Sequence, residues 1–246
     1  MNLKYSLPIL MVFAAQESFG VNIPTDQQGV NGSIGIGGQM STGNTNTNNI
    51  TSNIHVDQNL ETWRNHYSFE SIRSQTDYEN TSEIYRASLQ SDYKFTDKKF
   101  LYLREEAEKD LFSGYKYKTN ISTGYGNRVW NQKDGSFLEA SAGIGYRRNQ
   151  IEEGTEANTF DSGAIGRFAL KLTKKLSPSA VFRQSLTIQL DLEHLDTVTE
   201  SVTSISASVW DNLALQLSYR VEHSSYIPSN GEKTDTETTV TLLYSF

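Results

Sequence analysis

Leu213-Ala-Leu-Gln-Leu-Ser-Tyr-Arg-Val-Glu222 alternates without a break: Leu213, Leu215, Leu217, Tyr219 and Val221 share one parity, and Ala214, Gln216, Ser218, Arg220 and Glu222 share the other. Side chains of a strand point alternately to opposite faces, so this stretch reads as a strand with an apolar and a polar side. Downstream, Val240, Leu242, Tyr244 and Phe246 fall on one face, with Thr239, Thr241, Leu243 and Ser245 on the other. Upstream the same period runs through Leu186, Ile188, Leu190 and Leu192, then Ala164 to Leu172, Leu138 to Tyr146 and Tyr85 to Tyr93. The pattern marks twelve segments, at 30–41, 47–58, 63–75, 82–95, 99–111, 115–130, 136–149, 160–174, 180–193, 199–210, 212–224 and 234–246.

Alternation alone does not say what touches the apolar face. In a sandwich it is a second sheet, and in a membrane barrel it is lipid, with the polar face lining a lumen. Four observations favour the barrel. The stretches run about 9 to 14 residues, longer than the usual 5 or 6 of soluble sheets and suited to tilted spanning strands. The 4 Pro, at 8, 24, 178 and 228, all avoid the alternating segments, where a missing N–H would leave a carbonyl unsatisfied in lipid. Connections alternate between short (61–62, 96–98, 131–135, 176–179, 211) and longer, more polar ones (151–159, 194–198, 225–233), the asymmetry of outer-membrane barrels. Trp63, Trp130 and Trp210 all adjoin short turns, and Phe95 and Phe100 flank another, which reads as an aromatic girdle at a periplasmic interface. Tyr78, Tyr115, Tyr117 and Tyr226 lie near the opposite loops.

Composition agrees. The 246 residues are 36% hydrophobic and 21% charged, with a mean hydropathy of −0.53, so a bundle of apolar membrane helices does not fit. The chain has no Cys, which excludes disulfide scaffolds, thiolate zinc sites and cysteine nucleophiles. A net charge of −7 argues against a general nucleic-acid binder. Lys4, the apolar run at 6–15 and Ser18-Phe-Gly20 predict a signal peptide at 1–20 cleaved after Gly20. A short periplasmic segment, 21–28, and a barrel, 29–246, complete the expected organisation.

The terminal strand ending in Phe246, with Val240, Leu242 and Tyr244 before it, resembles those of bacterial outer-membrane proteins. The resemblance implies an assembly signal read by the barrel-assembly machinery. Ser41-Thr-Gly-Asn-Thr-Asn-Thr47, Ser82-Glu-Ile-Tyr-Arg-Ala87, Asp92-Tyr-Lys-Phe-Thr-Asp-Lys98, Gly124-Tyr-Gly126 and Gly143-Ile-Gly-Tyr146 together resemble the salt-induced outer-membrane proteins, a Gram-negative domain family of unknown function, over residues 29 to 246. The resemblance implies location and fold and carries no catalytic residues. The segment 99–111 fits least well, having charges on both parities and strong helix formers. An even strand count keeps it as a strand, apolar below and rising out of the membrane above.

The expected architecture is therefore an all-β, membrane-spanning, antiparallel up-and-down barrel of about 12 strands, with outer-membrane lipid and lipopolysaccharide as its surroundings. Its lumen face carries Arg86, Asp92, Glu139, Arg147, Arg167, Lys171, Asp191, Glu193, Arg220 and Glu222, with Glu70 and Arg128 on the same parity. Charges placed inside a barrel can pair across strands. Their mixed signs argue against a ring of one sign. The expected role is porin-like passage of small polar solutes, without cofactor, metal or catalysis. One alternative is a hydrolase using His66 and Ser68, two positions apart on one strand face. Another is a structural or surface-binding barrel acting through its loops, with 225–233 the segment to trim. Four His at 55, 66, 194 and 223 are too dispersed for a zinc motif. Glu152, Glu153, Glu156 and Asp161 read as a solvated acidic loop.

Overall fold

A computed structural model describes residues 28–42, 47–76, 79–111, 115–151, 160–225 and 233–246. The expected leader at 1–20, the tips of the loops at 152–159 and 226–232, and Tyr78 lie outside the described residues. Twelve strands follow in chain order: β1 (Gly29–Thr42), β2 (Thr47–Asn59), β3 (Trp63–Thr76), β4 (Glu79–Lys94), β5 (Lys99–Asp110), β6 (Tyr115–Asn131), β7 (Phe137–Ile151), β8 (Phe160–Ser177), β9 (Ala180–Asp191), β10 (Thr197–Trp210), β11 (Leu213–Ser224) and β12 (Thr234–Ser245). Each pairs antiparallel with its neighbour in the chain, and β1 pairs with β12, so the sheet closes on itself. No helix among the described residues is long and apolar enough to cross a membrane; the strands do the crossing.

The seam shows how the last residue takes part in closure. Gly32 N–H donates to the Phe246 carbonyl at 2.8 Å, and Phe246 N–H donates back at 2.9 Å. The Phe246 ring covers Gly32 so closely that a Cβ there would meet it at 2.4 Å. Short connections at 60–62, 95–98, 132–136, 178–179 and 211–212 gather at the end holding Gly29 and Phe246, hereafter the turn end. At the opposite, loop end the β7–β8 and β11–β12 connections, 152–159 and 225–233, are the longest, while those at 43–46, 77–78 and 111–114 are as short as the turns. In the connection 192–196, Leu195 is left-handed at φ 61° and 72% exposed.

The barrel is inside-out relative to a soluble protein. Ile34, Ile54, Leu89, Ile144 (66% exposed), Phe168, Leu217 and Leu242 form an exposed apolar wall, whereas Thr51, Asn53, Asp92, Ser122, Arg167 and Thr241 are buried within. So continuous an apolar surface is stable only against hydrocarbon. Trp63, Trp130 and Trp210 stand on this outer wall near the turns, with Trp63 edge-on to Tyr93 at 5.2 Å and Lys174 over Trp130 at 5.3 Å. Val240, Leu242 and Phe246 are likewise exposed on the outside, and Tyr244 is half-buried.

One detail of β5 differs from the sequence expectation. Phe100 does not join the girdle: it points inward, 4% exposed, against Gly126, where a Cβ would meet its ring at 2.1 Å. The strand does continue through its charged half, to Asp110, as the even strand count required. Arg104, Glu106 and Glu108 face the lumen, where they are paired, while Leu101, Leu103 and Glu105 face outward. Glu105 is flanked in register by Leu89 and Ile121, so a carboxylate stands in the apolar wall.

Candidate functional site

The polar parity of all twelve strands converges on the lumen, where charged side chains form two tiers. Near the turn end, Arg64 (β3) meets Asp92 (β4) at 2.7 Å and Glu139 (β7) at 2.9 Å. Glu139 also takes Arg128 (β6) at 3.1 Å. Strands β3 and β7 are four places apart around the wall, so Arg64–Glu139 is a chord across the lumen. Aromatic rings floor this tier: the Arg64 guanidinium lies 4.8 Å from the Phe100 ring centre, and that of Arg128 4.4 Å from Phe137. Gln90 Nε2 donates to Asp92 at 2.8 Å.

A second tier lies toward the loop end. Arg86 (β4) holds Glu108 (β5) at 2.9 Å, Glu70 (β3) at 3.1 Å and Glu237 (β12) at 3.5 Å. The last is another chord, again spanning four strand places. Arg220 (β11) meets Glu200 (β10) at 2.5 Å, Glu222 at 3.0 Å and Glu237 at 3.8 Å. Lys118 (β6) completes the tier on Glu108 at 2.9 Å. Between the tiers, Arg104 pairs with Glu106 at 2.6 Å, and Asn120 donates to Glu106 at 2.8 Å and to Gln189 of β9 at 3.4 Å. Arg147 meets Asp191 at 2.9 Å, whose Oδ1 accepts the backbone N–H groups of Glu193 and His194.

Exposure grades along the axis. Side chains of Glu70, Glu200 and Glu222 remain 34, 33 and 39% exposed, against 0% for Asp92, 7% for Arg128 and 12% for Glu139. The lumen is thus wetter at the loop end and tighter around Asp92, Arg128 and Glu139, with Asp57, also toward the turn end, 38% exposed. Burying charges is costly unless they are paired, which explains why the tight tier gives Glu139 two guanidinium partners and Asp92 one, with Gln90 donating to it as well.

Of the lumen residues expected from sequence, Arg86, Asp92, Glu139, Arg147, Arg167, Lys171, Asp191, Arg220 and Glu222 lie on the inward parity. Glu193 lies past the end of β9, exposed at the rim, with its carboxyl carbon 3.8 Å from where a Gly163 Cβ would stand. Sequence reading passed over Arg64, Asp57, Arg104, Glu106, Glu108, Lys118, Glu200 and Glu237; strand parity was the signal available for each. His66 and Ser68 do share a face but are not brought into a catalytic pair. Ser68 Oγ bonds Ser88 Oγ at 2.7 Å. One His66 nitrogen contacts Asp57, and the other faces Asp92 at 3.8 Å, so neither is directed at Ser68. Glu152, Glu153 and Glu156 lie outside the described residues, and nothing of the Asp161 side chain is described.

Known structures share this architecture. The translocator domain of the autotransporter NalP from Neisseria meningitidis aligns with a TM-score of 0.59 at 12% identity, over 91% of each chain. The NanC porin aligns with a TM-score of 0.55 at 10% identity, over 86% of this chain and 98% of its own. Both likenesses concern the fold, an outer-membrane-type barrel. In sequence, the uncharacterized protein YdiY of Escherichia coli (strain K12) is 25% identical over 220 residues, 87% of this chain and 82% of that protein. The family described as "Protein of unknown function, DUF481" matches residues 34–246, nearly the whole barrel, and the chain belongs to that family.

Proposed function

We propose that this protein is exported by its leader to the outer membrane of a Gram-negative bacterium and lets small polar solutes pass through its lumen. One observation carries the reading: the inner wall is lined from end to end by charged side chains, and those of the chords keep water-accessible surface, Arg64 being 14% and Arg86 21% exposed. A barrel kept only for support can fill its centre with apolar side chains, as narrow barrels do. The chords divide the cross-section and limit the path to small solutes. The turn end faces the periplasm, lipopolysaccharide surrounds the loop end, and Val240, Leu242, Tyr244 and Phe246 form the edge read during assembly. The reading assigns no reaction to the lumen.

Single-channel recording from the purified barrel in planar bilayers tests this. Small, stable conductance steps are expected from the wild type, and larger ones from an Arg64→Ala/Glu139→Ala variant whose chord is gone. Silence from both proteins, each shown to be folded, removes passage as the function.

A further inference from the structure

We propose that the lumen wall of β8 and β9 holds a binding site for a small carboxylate anion, formed by Arg167 and Lys171 with Arg183 beside them; this deepens the passage reading and rests on it. The charges of the lumen separate along its axis. The loop-end tier sets Arg86, Lys118 and Arg220 against Glu70, Glu108, Glu200, Glu222 and Glu237. Below that tier, among the described residues, the cations Arg64, Arg104, Arg128, Arg167, Lys171 and Arg183 stand with the carboxylates Asp57, Asp92, Glu106 and Glu139.

That excess is concentrated on one wall. Arg167 is 7% exposed, its guanidinium is 5.9 Å from the Tyr102 ring centre, and its buried Nε has no hydrogen-bond partner among the described residues. The carboxylate within its Coulombic reach, Glu106, is already held by Arg104 and Asn120. Lys171 sits opposite Glu139 in register, but that carboxylate is taken by Arg64 and Arg128. Arg183 lies diagonally next to Lys171, since Lys171 pairs with Ser185 and Thr173 with Arg183. Adjacent like charges on a sheet are destabilising, and a buried guanidinium without an anion is more so.

An anion in the lumen relieves both, and the surroundings select its type. Asp57 lies within Coulombic reach of Lys171 and Arg183, and Glu139 of Lys171. A dianion therefore meets more repulsion than a monoanion. Guanidinium groups match the two oxygens of a carboxylate, and the exposed His55 of β2, within Coulombic reach of Lys171 and Arg183, offers a further polar contact.

The test uses the mature barrel and potassium gluconate as the probe. Calorimetric titration in detergent is expected to show saturable gluconate binding, weakened roughly tenfold by Lys171→Gln or Arg167→Gln and unchanged by Arg73→Gln on the exposed outer wall. Heat-dependent gel mobility checks that each variant is closed. In bilayers under a potassium gluconate gradient, the reversal potential should mark gluconate as the preferred ion, with the preference lost in Lys171→Gln. No binding by the wild type, or binding indifferent to both substitutions, overturns the site. Binding without current keeps the site and removes passage; current without binding or gluconate preference does the reverse.

Discussion

Replacing Glu139 by Gln puts the cross-lumen chord to a quantitative test. The carboxylate is 12% exposed and faces Arg64, 14% exposed, and Arg128, 7% exposed. Gln keeps the shape and removes the charge, so two largely buried guanidiniums lose their shared anion. Breaking a buried pair by removing one partner typically destabilises by about 3 to 5 kcal/mol. Arg64 keeps Asp92 at 2.7 Å, so the lower end, about 3 kcal/mol, is expected. Arg64→Gln should destabilise by about 2 kcal/mol, because Glu139 keeps Arg128 and Asp92 keeps Gln90. If the two side chains meet across the lumen, the double variant is less unstable than the sum of the singles by about 1 to 2 kcal/mol. Urea unfolding in lipid vesicles, followed by the fluorescence of the 3 Trp, supplies the three differences. Additive effects would mean that Arg64 does not reach β7, and the constriction would be lost with it.

Three further outcomes follow from the wall and its seams. Glu105→Leu should stabilise the barrel in vesicles by about 1 kcal/mol, since a carboxylate beside Leu89 and Ile121 opposes lipid contact; a loss of stability would show that something other than hydrocarbon meets that side chain. Leu195→Gly should raise stability by about 1 kcal/mol by relieving a left-handed backbone, and an unchanged urea midpoint would contradict this. Gly32→Ala should slow assembly and weaken the seam, because the new methyl occupies the space of the Phe246 ring; folding rates into vesicles at wild-type values would count against the ring's role in closure.

The fold was readable because its determinants are local. Parity needs no knowledge of partners, so Leu213 to Glu222 and eleven other segments could be placed from composition and period alone. Strand ends were less readable: β8 runs on to Ser177, past the expected end at 174, because backbone pairing with β9 continues around a shift between Lys175 and Ser177. Phe100 shows the limit of reading aromatics by position. Its place beside a turn suggested the interface, yet its parity belongs to the lumen, where Gly126 leaves room for the ring.

The lumen network was readable only in part, for a geometric reason. Parity says that a side chain points inward, but a chord such as Arg86–Glu237 joins residues 151 positions apart, on strands made near by closure alone. Which inward residues meet therefore depends on strand number and stagger together. The same closure explains how a chain of net charge −7 encloses a basic wall. Composition averages over the inner wall, the outer wall and the loops, whereas a solute inside senses only the nearest tier. Mixed signs along the sequence suggested a lumen without preference; sorting those signs by tier leaves acidic groups in excess near the loops and cations in excess near the turns. An anion crossing from the loop end would meet the repulsive tier where the lumen is wettest and screening strongest, and the attractive one where it is tightest, so the inner tier carries more weight in selection.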